Sequence, residues 1–160
     1  MIRTATLSDF SVILNIYASA RTFMAQNGNP FQWMNGFPDA ALLLQHIHSQ
    51  KQYVLTDPDG QIHGTFYFAI EEDPTYAQIE DGHWLSAKPY GVIHLVAGDG
   101  TIHGFLRQIL AFCEPQITHL RIDTHHDNQI MQHVIAKNGF TRCGIIHLSD
   151  GSPRIAYEKL

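Results

Sequence analysis

The chain has 160 residues, 44% of them hydrophobic and 16% charged, a balance that excludes intrinsic disorder and fits one globular domain over 1–160. Ten Lys/Arg against fifteen Asp/Glu leave a net charge of −5 without basic clusters, which argues against nucleic acid or an anionic membrane surface as partner. Two cysteines make no disulfide framework, and no signal-peptide or membrane-spanning apolar run is present, so a soluble, cytoplasmic protein with reduced Cys113 and Cys143 is expected.

Ile2–Ala5 reads as a short strand. Ser8 is placed to cap a helix, with Asp9 in its first turn and Ile13, Ile16, Tyr17, Ala20 and Met24 at helical spacing. Asn27-Gly28-Asn29-Pro30 stops it, and an aromatic loop from Phe31 to Pro38 follows. Asp39 caps a second helix with Ala40, Leu43, Leu44 and Ile47 on its apolar face. Tyr53–Thr56 and Ile62–Ile70 are strands joined at Asp57-Pro58-Asp59-Gly60, a hairpin signature.

Glu71–Pro89 is irregular and longer than an ordinary connection, which points to function. Gly91–Ala97 is a strand, and Ile102 opens a helix carrying Phe105, Leu106, Ile109 and Cys113 on one face. His119–Thr124 is a further strand; Asp127 or Asn128 caps a helix ending at Asn138-Gly139; Phe140–Leu148 and Arg154–Lys159 form a last hairpin. The fold class is α/β, with the order β-α-α-β-β-β-α-β-α-β-β: one twisted mixed sheet with helices on both faces, the two late β-α-β passages placing parallel neighbours side by side.

Four places could carry chemistry. The strand Gly91–Ala97, the loop with Gly98, Gly100 and Gly104 and the helix after it form a strand-to-helix turn, and backbone N–H groups at a helix start bind anions. His94 alternates with Val92 and Val96 on one face of its strand; a histidine there suits proton transfer near neutral pH, the alternative being a core histidine bonded across the sheet. Asp123 and His125, two apart at a strand end, could hold an ammonium or relay its proton, or could serve as turn formers. The fourth is an aromatic set, Phe31, Trp33, Phe37, Tyr76, Trp84 and Tyr90, a pocket lining or a small core pinning two loops. Eleven histidines form no ligand pattern, so no metal is expected; Cys113 belongs to a buried stripe.

The ordered set resembles the GNAT superfamily of acyl-CoA-dependent N-acyltransferases over essentially 1–160: the opening Ile2-Arg3-x-Ala5-Thr6-x-x-Asp9, the strand, loop and helix from Ile93 to Leu110, and Asp127-Asn128 followed by Lys137-Asn138-Gly139-Phe140. The resemblance implies acetyl-CoA as acyl donor and a primary amine of a small molecule or peptide as acceptor. It implies that Leu95, Val96 and Ala97 pair with the pantetheine arm, and that Asp99, Gly100, Thr101, Ile102, His103 and Gly104 cradle the pyrophosphate. Asn128 and nearby Met131 would touch the CoA arm, His94 with Asp123 or His125 would take the amine proton, and Trp33, Trp84 and Tyr90 would line the acceptor pocket. A homodimer is also common among such proteins.

This chain departs from the pattern at Asp99, where the family usually has Gln or Arg, at Ile102, where it has glycine, and at Ile135, where many relatives carry a tyrosine acid. Water, Tyr90, Tyr157 or no dedicated acid are left for that role. A CoA-binding or ligand-sensing module without turnover is the main alternative; a hydrolase or metal enzyme lacks a nucleophile elbow or ligand cluster.

Overall fold

The structure, a computed structural model, describes residues 1–160. Strand β1 (Ile2–Thr4) leads through a 3-10 turn (Leu7–Asp9) into α1 (Phe10–Gln26), then α2 (Ala40–His48), β2 (Gln52–Thr56), β3 (Ile62–Ile70), β4 (Gly91–Gly98), α3 (Phe105–Cys113), β5 (Leu120–Thr124), α4 (Gln129–Lys137), β6 (Thr141–His147) and β7 (Pro153–Lys159). The predicted order is the observed one. Several boundaries differ for local reasons. The first helical segment starts from Thr6, not Ser8, because the Asp9 carboxylate reaches back to the Thr6 N–H at 2.8 Å while pairing with Arg3 at 2.7 Å. Helix α3 starts at Phe105 rather than Ile102, because Gly104 turns the chain left-handed (φ 65°) at the helix entry. Asp39 and Asn128 cap α2 and α4, accepting from Leu42 N–H (2.8 Å) and Met131 N–H (3.0 Å).

The seven strands form one sheet in the order β1-β2-β3-β4-β5-β7-β6. Only β4 and β5 are parallel neighbours. The expectation of a second such pair is corrected: β5 and β6 run the same way, but β7 inserts between them, antiparallel to both. The tight turn into β7 and the hydrogen-bond needs of β5 are met together by that insertion.

Side chains alternate across the sheet, so each strand feeds two layers. Phe66, Phe68, Ile93, Ile122 and Tyr157 face α3 and α4, whose Leu106, Ile109 and Ile135 are buried against them. Val54 and Ala97 face α1 and α2, which contribute Ile13, Tyr17 and Leu43. A third cluster, including Tyr67, Tyr76, Val92 and Ala156, lies under the long β3–β4 connection. That connection is pinned by Glu80, which exchanges backbone hydrogen bonds with Ile145 at 2.8 Å each way. Gly82 sits beside it at φ +151°, where an added Cβ would come 1.8 Å from the Cys143 carbonyl oxygen. No helix is long and apolar enough to cross a membrane.

Candidate active site

Strand β4 carries one residue more than its partner between two paired positions: Tyr67 faces His94 and Thr65 faces Ala97. The extra residue makes a bulge, and Leu95 turns to φ 54° within it. The simple alternation expected for this strand is thereby corrected. Val92 and His94 share a face, but Val96 joins Ile93 against the α3/α4 layer, while Leu95 packs on the opposite side. Buried side chains hold the bulge: the Tyr17 hydroxyl donates to the Leu95 carbonyl at 2.7 Å, and Gln52 Nε2 donates to that same hydroxyl at 2.9 Å.

Beyond the bulge β4 and β5 part company. Their pairing covers only Gly91–Ile93 with Leu120–Ile122, so the rest of β4 has no strand partner on that side. Two adjoining cavities open there and share Met24, Val96, Asn128 and Met131. The first, about 320 Å³, is bounded by the α1–α2 loop, the start of the β3–β4 connection and the ends of β5 and β7. The second, about 700 Å³, lies between the end of β4, α1 and the start of α4.

His94 stands in the first cavity between two carboxylates. Its Nε2 donates to Asp73 Oδ2 at 2.6 Å, and its Nδ1 lies 3.5 Å from Asp123 Oδ2. Asp123 also accepts from the Tyr76 hydroxyl at 2.7 Å. Burial opposes charge on His94, but the Asp73 hydrogen bond and the charges of Asp123, Asp73 and Glu71 outweigh it and raise the histidine above its usual value. Burial likewise opposes charge on Asp73, yet the His94 bond and the Thr75 N–H and hydroxyl bring it down to about 2. Asp73 is fixed by its turn, accepting from Thr75 N–H at 2.8 Å, and by Tyr90, whose hydroxyl accepts the Asp73 N–H at 2.8 Å.

The loop after β4 bears on anion binding. The backbone N–H groups of Gly100, Ile102, His103 and Gly104 donate to nothing in the protein, whereas those of Asp99 and Thr101 are engaged by His63 O and the Asp99 carboxylate. Asp99 is folded away from these free donors. One oxygen takes the Thr101 hydroxyl at 2.6 Å and the other meets His63 Nδ1 at 2.7 Å, with Asp57 on the far ring nitrogen at 3.1 Å. Those two carboxylates, through their hydrogen bonds, raise the pKa of His63.

The residues singled out from the sequence fall into four groups. His94, Asp123, Leu95 and Trp33 line the first cavity, Ala97, Asp99 and Gly100 the second, and Val96, Asn128 and Met131 both. Thr101, Ile102, His103 and Gly104 lie outside both walls. So do His125, Trp84 and Tyr90. His125 is buried, with Nδ1 accepting the Asp127 N–H at 3.0 Å, and burial lowers its pKa. Trp84 and Tyr90 sandwich the Arg121 guanidinium at 3.9 and 4.0 Å, and Arg121 in turn bonds buried Glu158 at 3.1 Å. Asn128 has both side-chain groups engaged, its oxygen on Met131 N–H and its amide nitrogen on Gln32 at 2.9 Å. Ile135 and Tyr157 are core residues. His125, His126 and Asp127 bring one donor atom each within 4.8 Å of one another.

Asp73, Arg154 and Gln32 join the site without a place among the residues read from the sequence, while Tyr76, one of the aromatic set, lines neither cavity and touches the site through its hydroxyl on Asp123. A carboxylate after an irregular run, Glu71-Glu72-Asp73-Pro74, was the available signal for Asp73, but its pairing with His94 depends on the sheet.

No protein-family model and no curated protein matches the chain. Solved structures do. A GNAT-family acetyltransferase from Streptococcus agalactiae 2603 is 27% identical, covers 100% of this chain and 94% of its own, and superposes with a TM-score of 0.89. A GNAT-family acetyltransferase from Listeria monocytogenes 4b F2365 is 18% identical over 99% of this chain and 93% of its own, with a TM-score of 0.73. A ribosomal-protein-alanine N-acetyltransferase from Brucella melitensis is 16% identical over 100% and 99%, with a TM-score of 0.62. The resemblance read in the sequence therefore holds in three dimensions: the chain has the fold of the GNAT-family acetyltransferases.

Proposed function

We propose that the chain is an N-acetyltransferase that moves the acetyl group of acetyl-CoA to a primary amine by direct attack. The observation that carries this reading is the junction at Val96. There a cavity leading to unengaged backbone N–H groups meets a cavity holding a histidine between two carboxylates. The parted edge of β4 suits an extended amide-bearing arm, and the free N–H groups of Gly100, Ile102, His103 and Gly104 suit phosphate oxygens. Asp99 does not oppose this, because both its oxygens are turned onto Thr101 and His63.

In this reading the acceptor arrives as an ammonium attracted by Asp73 and Asp123. His94, in its neutral form, takes the proton from the nitrogen, and the two carboxylates stabilise the imidazolium that results. The nitrogen forms the new C–N bond as the C–S bond breaks, and backbone N–H groups near Val96 polarise the carbonyl. The departing sulfur takes its proton from water, since Tyr90, Tyr157 and Ile135 stand outside both cavities.

The test has two arms. Saturating acetyl-CoA, at about one hundred times Kd, should raise the melting temperature by roughly 5–10 °C, with no shift from ATP or NAD. Amines should then release CoA thiol saturably. A shift without amine-dependent release would favour a binding module of the same fold, a reading supported by the lack of an acid at Ile135; no shift would remove acetyl-CoA altogether.

A further inference from the structure

The first cavity contains a cation that the reaction above does not use. Arg154 lies on β7, beside the His94 cluster. Asp123 pairs with Ala156 and Thr124 with Ile155, so Arg154 projects on the face of Ala156 and Asp123, two residues further along the strand. The residue is only 6% exposed, and it lines the first cavity but not the second.

Its bonding is incomplete. A guanidinium has five N–H donors. Those of Arg154 reach the Pro153 carbonyl at 2.8 Å, the Gln32 carbonyl at 3.0 Å and the Ser152 hydroxyl at 3.4 Å, and the remaining two find no acceptor. All three partners are neutral, and no carboxylate pairs with it. The other buried guanidinium, Arg121, is neutralised by Glu158 at 3.1 Å. The nearest acids to Arg154 are engaged elsewhere, Asp123 by Tyr76 and His94 and Asp150 by Ser152. Burial lowers the pKa of Arg154, against the pull of Asp123 and Asp150. A buried cation without an anion is costly, and a planar fork with open donors is shaped for a carboxylate.

We infer that Arg154 binds an anionic group of the acceptor, and that the acceptor is an amino acid or a similar zwitterion rather than a simple amine or polyamine. This rests on the acetyltransferase reading for the fate of the amine, but not for the anion site itself. The two ends of such a molecule match the two ends of the cavity: ammonium toward Asp73, Asp123 and His94, carboxylate toward Arg154. Between them Trp33, Phe37, Leu42 and Leu148 offer an apolar wall, so an apolar side chain is favoured. A polyamine would meet the acids but would place a second cation against Arg154. The phosphates of CoA are not the anion in question, since Arg154 is absent from the cavity that leads to the free loop N–H groups.

The experiment compares matched acceptors: L-phenylalanine, L-phenylalaninamide and phenethylamine, and the same set for methionine. The expected result is a preference of at least about tenfold in kcat/KM for the free acid over its amide. Arg154→Gln should bring that ratio to within about threefold of one, and Arg154→Lys should keep part of it. Melting curves of both variants check folding, and calorimetric titration of the free amino acids reads binding without turnover. Amino-acid binding lost in Arg154→Gln, with no acetyl transfer, would support the anion site while overturning the transferase reading. Amides and amines acetylated as well as acids, or a preference untouched by Arg154→Gln, would overturn the inference and leave the transferase reading standing.

Discussion

Replacing Asp73 with asparagine removes one charge from the His94 cluster and leaves the local geometry in place. The asparagine oxygen still accepts the Thr75 N–H and hydroxyl that Asp73 holds at 2.8 and 2.7 Å. Its amide nitrogen stands where Oδ2 now lies 2.6 Å from His94 Nε2, and an amide donor there favours the neutral ring. The charge-assisted hydrogen bond so removed is worth about 1.5–3 kcal/mol. Its loss lowers the titration of His94, with Asp123 remaining at 3.5 Å to hold part of the elevation. Because the neutral ring is the base, wild-type kcat/KM should rise with pH to a plateau whose midpoint lies above 6.5, the ordinary histidine value. In Asp73→Asn the midpoint moves down, so the variant gains relative activity on the acid side while its plateau falls through poorer orientation. The assay is CoA-thiol release across about pH 5.5–9.5 under subsaturating amine. A midpoint that stays put, or moves upward, would refute the assignment of the rising limb to His94 held by Asp73.

Three further outcomes follow from contacts elsewhere. Gly82→Ala forces a Cβ toward the Cys143 carbonyl, 1.8 Å away, and backbone must move; a loss of about 3 kcal/mol, or some 6–12 °C in Tm, should appear in a thermal melt, and an unchanged Tm would mean the connection is not held against β6. Tyr17→Phe strips the Leu95 carbonyl of the hydroxyl at 2.7 Å that holds the bulge; it should cost about 1–3 kcal/mol by denaturant titration and lower kcat, whereas full stability would show that water takes over the bond. His63→Ala frees the Asp99 carboxylate beside the loop donors and should raise the acetyl-CoA Kd about threefold to tenfold. In the wild type, acetyl-CoA affinity should fall as pH rises through the elevated His63 value and its positive charge disappears; that component should be missing in His63→Ala, and identical profiles would dismiss it.

The sequence was most informative where a structural signal is local. Caps at Asp39 and Asn128, the turn at Asp57 and the apolar periodicities placed every helix and strand in order. It was least informative where two strands must be compared. The bulge at Leu95 exists only because β3 has one residue fewer than β4 across the same span, so the facing of Val96 could not be read from β4 alone. The aromatic signal at Trp84 and Tyr90 was real, but its destination was Arg121, not the cavity, and that choice depends on β5 passing beneath the connection. Asp73 and Arg154 reach one cavity from distant parts of the chain, each bounded by prolines and turns that carry no periodicity.

The connection that carries Asp73 has an unusual thermal consequence. Long connections commonly open locally, at free energies far below global unfolding. This one is braced within itself, Asp73 N–H to the Tyr90 hydroxyl and Trp84 Nε1 to the Tyr76 carbonyl, and is tied to the sheet by the Tyr76 hydroxyl to Asp123, Glu80 to Ile145, and Leu85 N–H to the Glu158 carboxylate. Most of these anchors end on β5, β6 or β7, so releasing the connection requires breaking into the C-terminal half of the sheet. It belongs to that half as one cooperative unit. On heating, loss of activity and melting of the sheet should coincide, and amide hydrogens of the connection at Glu80 and Leu85 should exchange on the slow timescale of β7 rather than on that of a surface loop.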